Sequence, residues 1–419
     1  MENHDPARPS PPAGGDPARP SPPAGGDPAR PSPPAGGDPA RLSPVAGGVD
    51  VHQLDGWLLL PAFAEPHAHL DKALTAELVP NPGGDLAGAI EAWIAASRRG
   101  QFTPDSVTER ASAALELLIS HGVTAVRSHV NAVPEVGAGF VTAVRDAARR
   151  YDGLIDVQIV ALPLSPLVGP GGADARAALH QAIAAGVDVI GGCPHLDDDP
   201  VGQIDYLLDV ADDAGLPLDL HTDETLNPEM LSLADLARRV LSRGFDRGVT
   251  ASHCVSLGVQ APQVQADVAA AVADAGIGVV ALPQTNLYLQ ARDRPSAPPR
   301  GLTAVSALVE AGATVAAGAD NVQDPFNLVG RSDPLETAAL MVMAGHRLPG
   351  EAMAMISGAA RRVMGLAPVE LTPGRPADLL AIDAPSVRAA IAQGPLNRMV
   401  FRAGRLTSAS RQSTVVYRA

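Results

Sequence analysis

LLLPAFAEPHAHLDK, residues 58–72, opens as an apolar run and closes on two histidines one residue apart. A short apolar run with polar residues at its end reads as a buried strand, 58–67, and residues i and i+2 of a strand face the same side. His67 and His69 therefore emerge together at its C-terminal end. Seven similar runs follow: TAVRSHV (124–130), IDVQIVAL (155–162), VDVIGGC (187–193), LPLDLH (216–221), VTASHC (249–254), GIGVVALP (276–283) and ATVAAGAD (313–320). Between them lie amphipathic stretches such as SVTERASAALELLISHG, with apolar residues at three- and four-residue spacing. Eight strands linked by helices over about 250 residues predict an α/β fold, a closed (β/α)8 TIM barrel. The competing architecture, an open doubly wound sheet, needs a Gly-rich turn after its first strand, and none is present.

The barrel is expected over residues 61–366, ending in two helical segments near 334–346 and 350–365. GRPADLLAIDA and NRMVFRAGRLT then read as short strands separated by turns, a small β-domain over 367–419. Its N-terminal complement has to come from residues 49–60, a short piece. Before it stand four tandem copies of an eleven-residue unit, three reading DPARPSPPAGG and the fourth, at 38–48, DPARLSPVAGG. Pro, Gly and Ser dominate this tail, 1–48, which has almost nothing apolar to bury and is expected to be disordered or polyproline-like. Deleting residues 1–37 should accordingly leave melting temperature and turnover unchanged. A marked fall in melting temperature would show that the repeats pack on the body.

The chain has 419 residues, 46% of them hydrophobic, enough for one large barrel with an accessory domain. A formal charge of −15 argues against nucleic acid or an anionic membrane as partner and favours a small neutral or cationic substrate. Two cysteines, Cys193 and Cys254, form no disulfide framework. No apolar run follows the first residues, so neither a signal peptide nor a membrane span is expected, and the chain reads as cytoplasmic. Homo-oligomerisation is compatible with this composition and not specified by it. Of 31 basic residues only Lys72 is a lysine. In a chain biased toward Ala, Gly, Pro and Arg, a lone surviving lysine asks for a function.

Chemistry-bearing residues sit where the strands end. His221-Thr222-Asp223-Glu224 closes the fifth strand, His253 the sixth and Asp320 the eighth. Alone, each has an ordinary reading: two partly buried histidines, a polar turn, a carboxylate beside Asn321. A barrel brings strand ends together at one mouth, and there the set becomes imidazole and carboxylate ligands for a cation. A divalent ion so held lowers the pKa of a coordinated water to about 7, which makes a nucleophile available at neutral pH. His129 ends the second strand and either faces this mouth or packs beside it. His4, His52, His121, His180, His195 and His346 read as structural, and Cys193 as an apolar filler rather than a bridging ligand.

The order HxH, HxxE, SH and D along a barrel resembles the amidohydrolase superfamily, in particular its cytosine deaminase branch. The strings PAFAEPHAHLDK, DVQIVALP, LHTDET, VTASH, LPQTNLYLQAR and GADNVQDPF carry the likeness over about residues 55–405. By that resemblance His67, His69, His221 and Asp320 hold one divalent metal ion, zinc or iron. Glu224 is then the proton shuttle, and His253, with Asp320, orients or accepts a proton from the attacking water. The implied reaction is hydrolytic deamination of a cyclic amidine on a pyrimidine- or triazine-like ring. The fourth strand has no lysine, which excludes the form of binuclear site bridged by a carboxylated lysine.

Four positions depart from the cytosine deaminase pattern. Leu164 stands where that branch has Gln, Asn321 where it has Asp, Phe326 where it has Trp, and Lys72 where it has a neutral residue. HxHLDK with Asp-Asn is more similar to the N-alkylammelide amidohydrolases. These four are the expected substrate-binding residues. Two other readings remain: a cyclic amide or ureide ring hydrolase, which releases no amine, and a non-catalytic metal-containing binding barrel.

Overall fold

The computed structural model describes residues 43–45, 49–52 and 54–417. Ser43–Val45 (β1) and Val49–Val51 (β2) pair antiparallel and belong to a unit of their own, residues 1–53. The rest of the tail expected to be disordered, 1–42 and 46–48, lies outside the described residues.

The second unit, from Leu54 on, holds a four-stranded antiparallel sheet and an eight-stranded parallel one. Leu58–Pro61 (β3) belongs to the first. It pairs with Leu379–Ile382 (β12), which pairs with Arg398–Arg402 (β13) and then Arg405–Ser410 (β14). Here the structure corrects the reading of 58–67 as one strand. Pro61 has no N–H with which to continue a ladder, and the chain changes sheets at Ala62, whose N–H donates to Asp378 O (3.0 Å) while that of Phe63 donates to Gly122 O (2.9 Å). The contribution to the small sheet is therefore 58–61; within the stretch 49–60, residues 49–51 pair with 43–45 instead.

The parallel sheet runs in chain order: Phe63–Ala68 (β4), Val123–Ala132 (β5), Asp156–Pro163 (β6), Val189–Gly192 (β7), Leu218–Thr222 (β8), Val249–His253 (β9), Gly278–Ala281 (β10) and Val315–Ala317 (β11). It curls until its edges meet, forming the (β/α)8 barrel. At the seam Ala68 bridges Asp320 in parallel, and Asp320 N donates to His67 O (3.0 Å). Glu65 strengthens the seam, its carboxylate accepting from His67 N (3.1 Å) and Ala319 N (3.0 Å).

Local chemistry explains why the helices begin and end where they do. Helices at Pro104–Ser120, Pro200–Ala214 and Pro262–Asp274 start on proline, whose missing N–H has no partner at that position in any case. Thr103 and Ser106 cap each other reciprocally at the first of these. Gly215 (φ 68°) ends the helix Pro200–Ala214, in the left-handed conformation that glycine adopts without penalty. Below the barrel the short helix Gly358–Val363 plugs the floor, packing Ala359, Ala360 and Val363 against Ala64, Ala125 and Val280.

Candidate active site

Four strand ends deliver the expected side chains to one point. His67 and His69 leave β4, His221 leaves β8, and Asp320 follows β11; all four are buried. His69 Nε2 lies 3.2 Å from His221 Nε2 and 3.3 Å from Asp320 Oδ1, and His67 Nε2 lies 3.7 Å from the same oxygen. Two ligands about 2.0–2.1 Å from one ion at a tetrahedral angle stand roughly 3.4 Å apart. The observed separations match. His67 Nε2 and both oxygens of Asp320 are buried without a hydrogen-bond partner, a costly arrangement unless a cation sits between them. Burial first, then the neighbouring histidines, hold His67 and His221 well below the ordinary imidazole range, so both offer lone pairs. For Asp320 burial alone would raise the pKa, but the close approach of His69 Nε2 (3.3 Å) together with His253 and Lys72 outweighs it and keeps the carboxylate ionised.

His253 and Glu224 flank this cluster. His253 Nε2 stands 3.8 Å from Asp320 Oδ2, and Nδ1 stands 3.5 Å from Glu224 Oε1 and 3.1 Å from Asn286 Nδ2. An amide N–H can only donate, so Asn286 fixes His253 Nδ1 as acceptor and turns its Nε2–H toward Asp320. Burial pulls His253 down to about 4. Burial, with Asp320 nearby, pushes Glu224 well above the usual carboxylate range. His253 (φ 68°) and Asp320 (φ 65°) both take left-handed backbone, a strain that concentrates at functional positions.

A cavity of about 300 Å³ opens above the cluster, with His69, His221, Glu224, His253 and Asp320 at its base. Lys72, Leu164, Asn321 and Phe326 all line it, as does Cys193. His129 does not. Its ring stacks on His67 with centroids 3.9 Å apart, and its carbonyl accepts from His69 Nδ1 (3.0 Å). The far wall comes from helix α1 (Leu86–Arg98) through Leu86, Ile90, Trp93 and Ile94.

Lys72 has an ambiguous partner. Its Nζ lies 2.9 Å from His69 Nδ1, and the rings of Trp93 and Phe326 are 5.8 and 5.5 Å from it. Once His69 Nε2 binds a cation, Nδ1 must carry the proton, which it donates to His129 O. It then has no lone pair for an ammonium, and Lys72 is left as a buried donor directed at the cavity.

Sequence reasoning missed five residues around the His/Asp cluster, Glu65, Arg127, Asp219, Ser252 and Asn286, and one on the cavity wall, Trp93. A signal existed for four of them. Glu65, Arg127 and Asp219 each precede a histidine by two residues on a strand, hence on the same side of it, and Ser252 follows Thr250 in the same way. Polar residues with that period inside apolar strands mark a polar barrel interior.

A profile of the amidohydrolase family matches residues 97–408. The chain belongs to that family. Among the relatives of this amidohydrolase is a pterin deaminase of Rhizobium rhizogenes, 34% identical over 364 residues, 84% of this chain and 81% of that one. A solved structure of 5-methylcytosine deaminase from Klebsiella pneumoniae superimposes with a TM-score of 0.81 at 28% identity, covering 91% of this chain and 92% of the other. N-isopropylammelide isopropylaminohydrolase from Burkholderia multivorans gives 0.74 at 28%, covering 88% and 91%. This amidohydrolase is thus an enzyme that hydrolyses carbon–nitrogen bonds other than peptide bonds, in a family that depends on metal, and it has the His/Asp cluster to hold one. No helix among the described residues is long and apolar enough to cross a membrane.

Proposed function

We propose that this amidohydrolase hydrolytically deaminates an oxo-bearing N-heterocycle larger than cytosine, using one divalent ion, zinc or iron, held by His67, His69, His221 and Asp320. The carrying observation is the cavity: about 300 Å³ above the His/Asp cluster, apolar on one wall and reached by Lys72. An apolar cavity of about 150 Å³ accommodates benzene, so there is room here for roughly two fused rings, or for one ring with an apolar substituent. The relatives act on rings of this kind: a pterin, a methylated cytosine and an N-alkylated triazine. Imidazole and carboxylate ligands do not choose between zinc and iron.

When bound, the ion acts as a Lewis acid that makes a water-derived nucleophile available near neutral pH. The protein's own groups do the rest. His253, aligned by Asn286, and Asp320 orient the attacking oxygen toward the ring carbon that bears the amino group. Glu224 carries a proton to the adjacent ring nitrogen and then to the departing amine, which leaves readily only when protonated. Lys72 and Asn321 supply donors for ring carbonyls, while Leu164 and Phe326 face the apolar part of the ring. The proposed partner is therefore this small molecule, with no nucleic acid and no membrane, in the cytoplasm.

The test is kcat/KM for cytosine, isocytosine, ammelide, N-alkylammelides and pterin, repeated with Leu164→Gln. Leu164 leaves the polar edge of cytosine unpaired, which costs about 1–3 kcal/mol, roughly tenfold or more in kcat/KM. Cytosine should rank low in the wild type and recover in the variant. Cytosine as the best wild-type substrate overturns this reading, and ring opening without amine release points to the cyclic amide reading.

A further inference from the structure

Beneath His67 runs a hydrogen-bonded chain, buried from Ser252 to Thr250, none of whose side chains lines the cavity. His67 Nδ1 lies 2.8 Å from Ser252 Oγ, and Ser252 Oγ lies 3.2 Å from Asp219 Oδ1. The other oxygen of Asp219 accepts from Arg127 Nη1 at 2.7 Å. Arg127 also donates to Thr250 Oγ1 (3.1 Å) and Gln158 Oε1 (2.9 Å). Thr250 Oγ1 and Gln158 Nε2 donate in turn to the carbonyls of Val363 (3.0 Å) and Met364 (3.1 Å), at the end of the helix that plugs the floor. Ser252, Asp219, Arg127 and Thr250 are all buried. Barrel register assembles them: Arg127 is opposite Gln158, Asp219 opposite Thr250, and His221 opposite Ser252.

Donor and acceptor rules give this chain a direction. Arg127 has no acceptor and cannot lose its charge, so it holds Asp219 as an acceptor. The proton on Ser252 Oγ is therefore used on Asp219, and the hydroxyl has only lone pairs left for His67. His67 Nδ1 must be the donor, which leaves its lone pair on Nε2, the nitrogen facing Asp320 across the ion position. A histidine free to adopt the other tautomer would present N–H there and repel a cation.

We propose that Ser252 and Asp219 are positioning residues that fix the tautomer of His67 and thereby set the affinity of the metal centre. His69 is fixed separately, through the carbonyl of His129. Asp219 does not serve as a ligand for a second ion, because Arg127 already neutralises it. This inference rests on the metal reading above, and the two fail in different ways.

The experiment is zinc affinity of the full chain, by chelator competition, for wild type, Ser252→Ala, Asp219→Asn and the double variant, with melting temperature of each metal-free protein. Losing an outer partner of a ligating histidine typically weakens metal binding 10–100-fold. Ser252→Ala should show that loss while the metal-free protein still melts as a folded domain. The double variant should bind no more weakly than Asp219→Asn, since both residues act through one chain. Wild-type affinity in Ser252→Ala overturns the proposal while the metal reading stands. Fully additive losses overturn it too. Should Asp219→Asn fail to fold, because Arg127 loses its buried counter-charge, Ser252→Ala alone decides. Wild type that binds no zinc or other divalent ion overturns the metal reading, and the proposal with it.

Discussion

Glu224→Gln is expected to lower kcat by about 10²–10⁴-fold while fold and bound metal persist, the range that general acid–base catalysis supplies. The amide matches the carboxyl in size and can hydrogen-bond, but it cannot take a proton from water and return it to a ring nitrogen. Glu224 lies outside the proposed ligand set. Its carboxyl stands 3.5 Å from His253 Nδ1, and its backbone carbonyl is held by Gln290 Nε2 at 3.2 Å. Replacing its carboxyl thus leaves His67, His69, His221 and Asp320 in place. The check is kcat with metal content and melting temperature on the same preparation. A variant that turns over at nearly the wild-type rate removes Glu224 from the mechanism. One that has lost its metal shows that the carboxylate acts on the ion instead.

How far the sequence could be read follows from which interactions are local. The ends of the barrel strands were legible because an apolar run must stop where the backbone meets a polar site, and the stop is a histidine or aspartate at 67, 221, 253 and 320. Lys72, Leu164, Asn321 and Phe326 were picked out by comparison with a family pattern, and all of them line the cavity. The break at Ala62 was not legible. Pro61 weakens a ladder without saying where the chain goes next, and only pairing with Leu379, over three hundred residues away, assigns 58–61 to a different sheet. Nor could Trp93 be placed. Helix α1 has an apolar face like any other, and nothing local says that this face closes a cavity rather than a core. Asn286 is hidden for a similar reason: its position in the helix Pro283–Leu289 gains meaning only from His253, 33 residues earlier at the end of β9.

Replacing a ligand should have the largest effect of all. His67→Ala or Asp320→Ala is expected to abolish retention of the ion and to reduce turnover at least about a thousandfold, because the ion's electrostatic contribution is several kcal/mol and each 1.36 kcal/mol is a factor of ten. The wild type should return close to one equivalent of metal. A second ion of the lysine-bridged kind has no anchor, since the fourth barrel strand has no lysine and Lys72, the only one in the chain, lies beyond the first. Among the described residues the remaining group with suitable donors, His67 with His129 and Asp219, is compromised by Arg127, a fixed positive charge 2.7 Å from the Asp219 carboxylate that already neutralises it. Elemental analysis after dialysis separates the cases. Two equivalents retained by the wild type rule out the mononuclear site. One equivalent retained by Asp320→Ala moves that carboxylate from ligand to orienting base, its two buried oxygens then serving the attacking water rather than the ion.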